Sequence, residues 1–127
     1  MILDTSAMVA VIQAEPNHEM LLQKMREAET IGVGAPTLVE ASLVLGSRLD
    51  NAEVLLDAFL DLHTIYIVPF EAAHWREATS AFLRFGKGRH PAKLNFGDCL
   101  GYATAKVARK PLLYVGDDFA QTDIARA

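Results

Sequence analysis

Four acidic residues stand where a fold could gather them: Asp4, Glu40, Asp98 and Asp117. Asp4 follows the apolar pair Ile2-Leu3, and Asp117 follows Leu112-Leu113-Tyr114-Val115 across Gly116. Glu40 lies in the first turn of a segment opened by Pro36. Asp98 opens an apolar-striped segment leading to the last of these runs. Each has an ordinary explanation by itself. Asp at a helix start caps it, an acid in a first turn favours the helix dipole, and Gly-Asp-Asp is good turn chemistry. Four carboxylates in one place are different, because like charges persist side by side only if protonated or neutralised by cations. Oxygen-only ligands suit Mg²⁺ or Mn²⁺. One or two such ions activate water and stabilise a leaving oxygen, the chemistry of phosphodiester hydrolysis. No competing nucleophile stands out. Cys99, the only cysteine, reads as a small buried hydrophobe. His18, His63 and His74 have no metal-ligand partner four residues on.

Such convergence needs strands whose ends share one edge. Residues 2–3, 31–35, 65–68 and 112–115 are short apolar or glycine-containing runs and read as strands. Helical patterns lie between them, two opening at Asp4-Thr5-Ser6 and Glu15-Pro16-Asn17. A third starts at Pro36 with Leu38, Val39, Ser42, Leu45 and Leu49 inward. A fourth covers 51–62 with Val54, Leu55, Ala58, Phe59 and Leu62 on its apolar side. A fifth covers 71–85 with Trp75, Ala78, Phe82 and Phe85 apolar, and a sixth starts at Asp98. A short helix is expected to close the chain after Phe119. Strands buried on both faces, alternating with helices, predict an α/β fold with a central, mainly parallel sheet of four to five strands. In such sheets the strand ends and the starts of the following helices share an edge, and ligands bind beyond it. The four acids are therefore expected on a single rim.

The chain has 127 residues, 51% hydrophobic and 22% charged, which fits one folded domain and excludes a disordered chain. No apolar run approaches the length of a membrane span. Strand-like sequence from residue 2 leaves no room for a signal peptide and predicts a cytoplasmic protein. The net charge is −4, yet Arg84 to Lys110 holds seven Lys/Arg against Asp98 alone, so a sector of +6 sits on a body of −10. Lys87, Arg89 and Lys93, in the loop 86–95, are the candidate phosphate contacts for a polyanion. That loop has no Walker pattern, which speaks against a nucleoside triphosphate. The apolar share is high for a lone monomer and predicts a homodimer or another partner surface.

Four blocks in order carry a family likeness: MILDTSAMVAVI with the following Glu15-Pro16, PTLVEASLVL, LNFGDCLGYATAK and PLLYVGDDFAQTDI. Together, from Met1 to Ile124, they resemble PIN-domain ribonucleases of the VapC toxin type. The resemblance implies a single PIN domain over residues 1–127, a three-layer α/β/α fold with an acidic pocket at the strand ends. It implies a Mg²⁺- or Mn²⁺-dependent endoribonuclease acting on tRNA or rRNA. Such a protein is the toxin of a type II toxin–antitoxin system. It is inhibited by a cognate VapB-type antitoxin, through which alone operator DNA is engaged. By position, Asp4, Glu40 and Asp98 match the family's three core acids. Asp117 matches the fourth, being nearer the strand, with Asp118 as the alternative. Thr5 or Ser6 would support Asp4, and phosphate or water, through a hydroxyl.

Two other readings share the α/β pattern. A phospho-acceptor receiver domain would carry an acid pair after the first strand and an acceptor Asp after the third. Here the first strand is followed by one acid and the third ends in Val68-Pro69-Phe70. A catalytically silent PIN-like module would keep the fold and bind only antitoxin or RNA.

Overall fold

Ile2, Leu3, Val33, Leu112 and Leu113 are buried, as strands of two or three residues must be if they are to stay paired in a covered sheet. The computed structural model describes residues 1–127. Its strands are β1 (Ile2–Leu3), β2 (Gly32–Gly34), β3 (Tyr66–Val68) and β4 (Leu112–Leu113). A helix pair follows each of the first three. These are α1 (Thr5–Ile12) with α2 (His18–Glu27), α3 (Ala35–Gly46) with α4 (Ala52–Leu62), and α5 (Ala72–Phe85) with α6 (Phe96–Ala108). All pairings are parallel, in the order β3-β2-β1-β4.

The chain steps from β1 outward to β2 and β3, then crosses back to set β4 on the other side of β1. Parallel crossovers are right-handed, so reversing direction sends the third helix pair to the opposite face. The two cores follow that division. Ile2 and Leu112 point into one, with Phe85, Leu94 and Tyr102. Leu3, Val33 and Leu113 point into the other, with Met8, Leu21, Leu45 and Phe59. Alternate strand residues thus serve alternate helical layers. The result is the expected α/β/α sandwich around a four-stranded parallel sheet. Its reversal of strand order opens a crevice at the carboxyl ends of β1 and β4.

Several faces differ from the sequence expectation. The third helix, α3, buries Thr37, Ala41 and Leu45 and leaves Val39 outside with Leu43. Its neighbour α4 buries Ala52, Leu56 and Phe59 and leaves Val54 and Leu62 outside. Both helices are apolar on more than one side, so periodicity does not decide which stripe packs. On α5 the buried residues are His74, Ala81 and Phe85, while Trp75 and Phe82 are exposed. Strand β3 lies at an edge with Tyr66 and Ile67 exposed, not covered on both faces. The sixth helix begins at Phe96 under an Asn95 cap, two residues before Asp98.

No helix closes the chain. Residues 115–123 form bends and turns, and the tail returns to Leu112 through Arg126. The tail is fastened at Asp123, which accepts from the buried Tyr102 hydroxyl at 2.6 Å and pairs with Arg84 and Lys106, each at 3.0 Å. Partial burial works against the Asp123 charge, but these three partners outweigh it and hold the carboxyl well below the usual range. No helix is long and apolar enough to cross a membrane.

Candidate active site

A cavity of 270 Å³ lies beyond the carboxyl ends of β1 and β4. Asp4, Thr5, Ser6, Glu40, Asp98 and Asp118 all line it, together with Glu15, Val115 and Phe119. Asp4 reaches it because it directly follows β1 and caps α1. Its Oδ2 accepts from the Ser6 backbone N–H at 3.0 Å and from the Ser6 hydroxyl at 2.5 Å. The Ser6 Oγ in turn accepts from the Val115 N–H at 3.0 Å, tying α1 to the end of β4. Glu40, one turn into α3, accepts from the Thr5 hydroxyl at 2.6 Å through Oε2. Asp98 sits at the third position of α6 in a capping box with Asn95. Its Oδ2 accepts from Asn95 N–H at 2.8 Å, and Asn95 Oδ1 accepts from Asp98 N–H at 2.9 Å. The structural and chemical explanations of these acids therefore coexist. Each spends one oxygen on the fold, and no side-chain donor reaches Oδ1 of Asp4, Oδ1 of Asp98 or Oε1 of Glu40.

The electrostatics agree with the lining. Burial pushes Asp98 up to about 6. The Asn95 N–H opposes this, and the charges of Asp4, Asp118 and Glu40 add to it. Asp4, 5% exposed, is raised chiefly by burial, with the Ser6 bonds pulling the other way and Glu40 pushing further up. Cys99, buried beside Asp98, is pushed up to about 11 by burial first and by the Asp98 charge second, which makes it a poor nucleophile. The donor set is all oxygen, the type that Mg²⁺ and Mn²⁺ prefer. It is not preassembled, for no three of the protein's Asp, Glu, His or Cys side chains form a ready metal cage.

The fourth acid brought to the cavity is Asp118, and Asp117 is not part of the wall. This corrects the expectation, which ranked the two by closeness to the strand. Gly116, at φ +90°, redirects the chain, and buried Phe119 packs against Tyr114 with ring centroids 5.0 Å apart. That turn exposes Asp117, whose carbonyl accepts from Ala120 N–H at 3.0 Å, and brings residue 118 round. Lys87, Arg89 and Lys93 are exposed and lie outside the wall. Their loop is closed by its own hydrogen bonds, Lys87 N–H to Leu94 O at 2.9 Å and Leu94 N–H to Phe85 O at 3.0 Å. It runs straight into the Asn95 cap of α6, two residues past Lys93. Glu15 was not anticipated in the cavity. It arrives there on a turn with Ala14 and Asn17 at positive φ, its carboxylate 3.8 Å from Arg48.

An apolar groove runs beside the acids. Phe70, Trp75, Phe82, Phe96 and Leu100 line one 490 Å³ section, and Phe70, Val39, Leu43, Phe96 and Leu100 line a second of the same size that reaches Glu40 and Gly97. Phe96 is 80% exposed and Leu43 71%. The strand order also separates this fold from a receiver domain, in which the first strand lies between the second and the third.

Comparison with known proteins agrees with this architecture. The PIN domain family matches residues 1–125. A VapC ribonuclease of Mycobacterium bovis is 43% identical over 126 residues, covering 98% of this chain and 91% of the relative. Ribonuclease VapC of Mycolicibacterium smegmatis is 37% identical, covering 98% of each. Among solved structures, Mycobacterium tuberculosis VapC20, described as a sarcin-ricin loop cleaving toxin, superposes with a TM-score of 0.78. The identity is 15%, covering 99% of this chain and 97% of the other. VapBC2 of Rickettsia felis, bound to a DNA fragment from its promoter, gives a TM-score of 0.75 at 16% identity, covering 98% and 94%.

Proposed function

Because this chain belongs to the PIN-domain family and to the VapC ribonucleases within it, we propose that it is the toxin of a toxin–antitoxin pair and a metal-dependent endoribonuclease. The observation that carries this reading is the shared lining of one cavity by Asp4, Glu40, Asp98 and Asp118. These four would hold Mg²⁺ or Mn²⁺, which when bound supplies Lewis acidity and a water of lowered pKa. The chain's own groups hold the acids in place: Ser6 steadies Asp4, Thr5 steadies Glu40 and Asn95 steadies Asp98. Lys87, Arg89 and Lys93 contact backbone phosphates beside the cleft, and Thr5 and Ser6 border the scissile phosphate. Both hydroxyls already donate to carboxylates, which removes Thr5 and Ser6 as nucleophiles, and in this reading the role falls to water. It attacks phosphorus and the 3′ oxygen leaves, giving 5′-phosphate and 3′-hydroxyl ends.

The substrate is tRNA or rRNA in the cytoplasm. A VapB-type antitoxin inhibits the enzyme, and operator DNA is reached only through it. The exposed apolar residues of α3, α5 and α6 support a homodimer and an antitoxin contact, since association removes such area from water. The test is incubation of the purified protein with total tRNA and rRNA in Mg²⁺ or Mn²⁺, against EDTA and against Asp98→Asn. Cleavage lost in both controls, with 3′-hydroxyl ends, is the expected result. Cleavage that survives EDTA, or leaves a 2′,3′-cyclic phosphate, overturns the metal-dependent reading.

A further inference from the structure

Two glycines of α6 stand against the acids. A Cβ at Gly97 would collide with Glu40 Oε1 and lie 2.7 Å from both its Cδ and its Oε2. A Cβ at Gly101, one helical turn on, would lie 3.0 Å from Asp4 Oδ1. Neither residue has a positive φ, so the backbone does not require glycine at either place. A helix interior favours alanine over glycine, so local propensity does not explain them. What they provide is room. With no side chain at 97, the Glu40 carboxylate rests directly on the first turn of α6, one residue from Asp98.

We propose that Gly97 is a positioning residue for Glu40: its missing side chain sets how closely the α3 carboxylate approaches Asp98, and so shapes the cation site. The inference rests on the metal-dependent reading of the cavity. The neighbour in question is the tip of a flexible side chain, so alanine at 97 displaces the carboxylate and leaves the helix intact. The displaced carboxylate must also let go of the Thr5 hydroxyl, which now holds it at 2.6 Å. Gly101 acts in the same sense on Asp4, with a milder approach.

Two measurements on the full chain test this. The first is made without metal: the ¹³C carboxyl resonance of Glu40 in glutamate-labelled protein, assigned by its loss in Glu40→Gln. Gly97→Ala is expected to move that resonance while circular dichroism shows the helices and the fold retained. An unmoved resonance overturns the proposal whatever the metal does. The second is calorimetric titration with Mn²⁺ for the unsubstituted protein, Gly97→Ala, Glu40→Asp and the double variant. Gly97→Ala is expected to weaken Mn²⁺ at least tenfold. The double variant should bind no worse than Gly97→Ala, because the shorter Asp withdraws from the added methyl group. Losses that simply multiply in the double variant, or full affinity in Gly97→Ala, refute the link between 97 and 40. Failure of the unsubstituted protein to bind Mn²⁺ refutes the metal reading instead, with the resonance still deciding whether Gly97 places Glu40.

Discussion

The Thr5 hydroxyl donates a 2.6 Å hydrogen bond to the Glu40 carboxylate, joining the start of α1 to α3 across 35 residues of sequence. Thr5→Val keeps the shape and removes the donor. Groups that orient metal-binding carboxylates are commonly worth 10–100-fold in affinity or activity, and a hydrogen bond to a charged group contributes about 1.5–3 kcal/mol to stability. RNA cleavage should therefore fall about 10–100-fold and the melting temperature by several degrees, with the fold retained. Unchanged cleavage would show that Glu40 needs no such support.

Asp118 and Asp117 are adjacent in sequence and unlike in placement. Asp118→Asn should lower turnover and weaken Mn²⁺, because it changes a wall of the cavity. Asp117→Asn should leave both near their starting values. Single-turnover cleavage and calorimetry on the two variants decide between them, and the reverse ranking would overturn the assignment of Asp118.

Stability without metal should depend on pH through Asp98. Its carboxyl is pushed up to about 6, whereas an unfolded Asp titrates near about 4. The folded protein thus binds the extra proton between these values. The stabilisation is complete below the unfolded value and is lost as pH rises through about 6. In EDTA the melting temperature should fall from pH 4 to pH 7. Asp98→Asn should flatten that fall and raise the value at pH 7. Mn²⁺ should recover stability at neutral pH in the unsubstituted protein and do less for the variant. Asp123 works in the opposite sense: its depressed carboxyl contributes stability that is lost as pH falls below the usual carboxylate range.

The loop 86–95 separates binding from chemistry. Replacing Lys87, Arg89 and Lys93 together by Ala should weaken RNA binding. The slope of log affinity against log salt should also shrink, by roughly 2 if all three contact phosphates of single-stranded RNA. Cleavage at saturating RNA should change far less. A slope identical to that of the unsubstituted protein would place the phosphate contacts elsewhere.

Much of this was legible in the residues. The alternation of short apolar runs with helical patterns fixes a parallel sheet, and a parallel sheet puts Asp4, Glu40 and Asp98 on one edge. The rest depended on tertiary choices that local pattern does not encode. Val39 and Val54 are apolar at helical spacing, but a different stripe of each helix packs inward. The direction of Asp118 follows from Gly116 and from Phe119 seated on Tyr114, contacts invisible to a ranking by distance from the strand. Gly97 and Gly101 did leave a trace, as two glycines four residues apart beside Asp98 in a segment otherwise suited to a helix. Only the approach of Glu40 and Asp4 gives that spacing a meaning.

The junction of β1 with β4 has a consequence for when the cavity closes as the chain folds. Asp4 N–H donates to Leu113 O at 2.9 Å, and Val115 N–H reaches Ser6 across 109 residues. Pairings so distant in sequence form late, and translation delivers the N-terminal part first. The wall from Val115 to Phe119 therefore joins Asp4, Glu40 and Asp98 only once β4 has docked beside β1. A folding chain holds its acids apart, and apart they repel one another less, until that last parallel pairing gathers them.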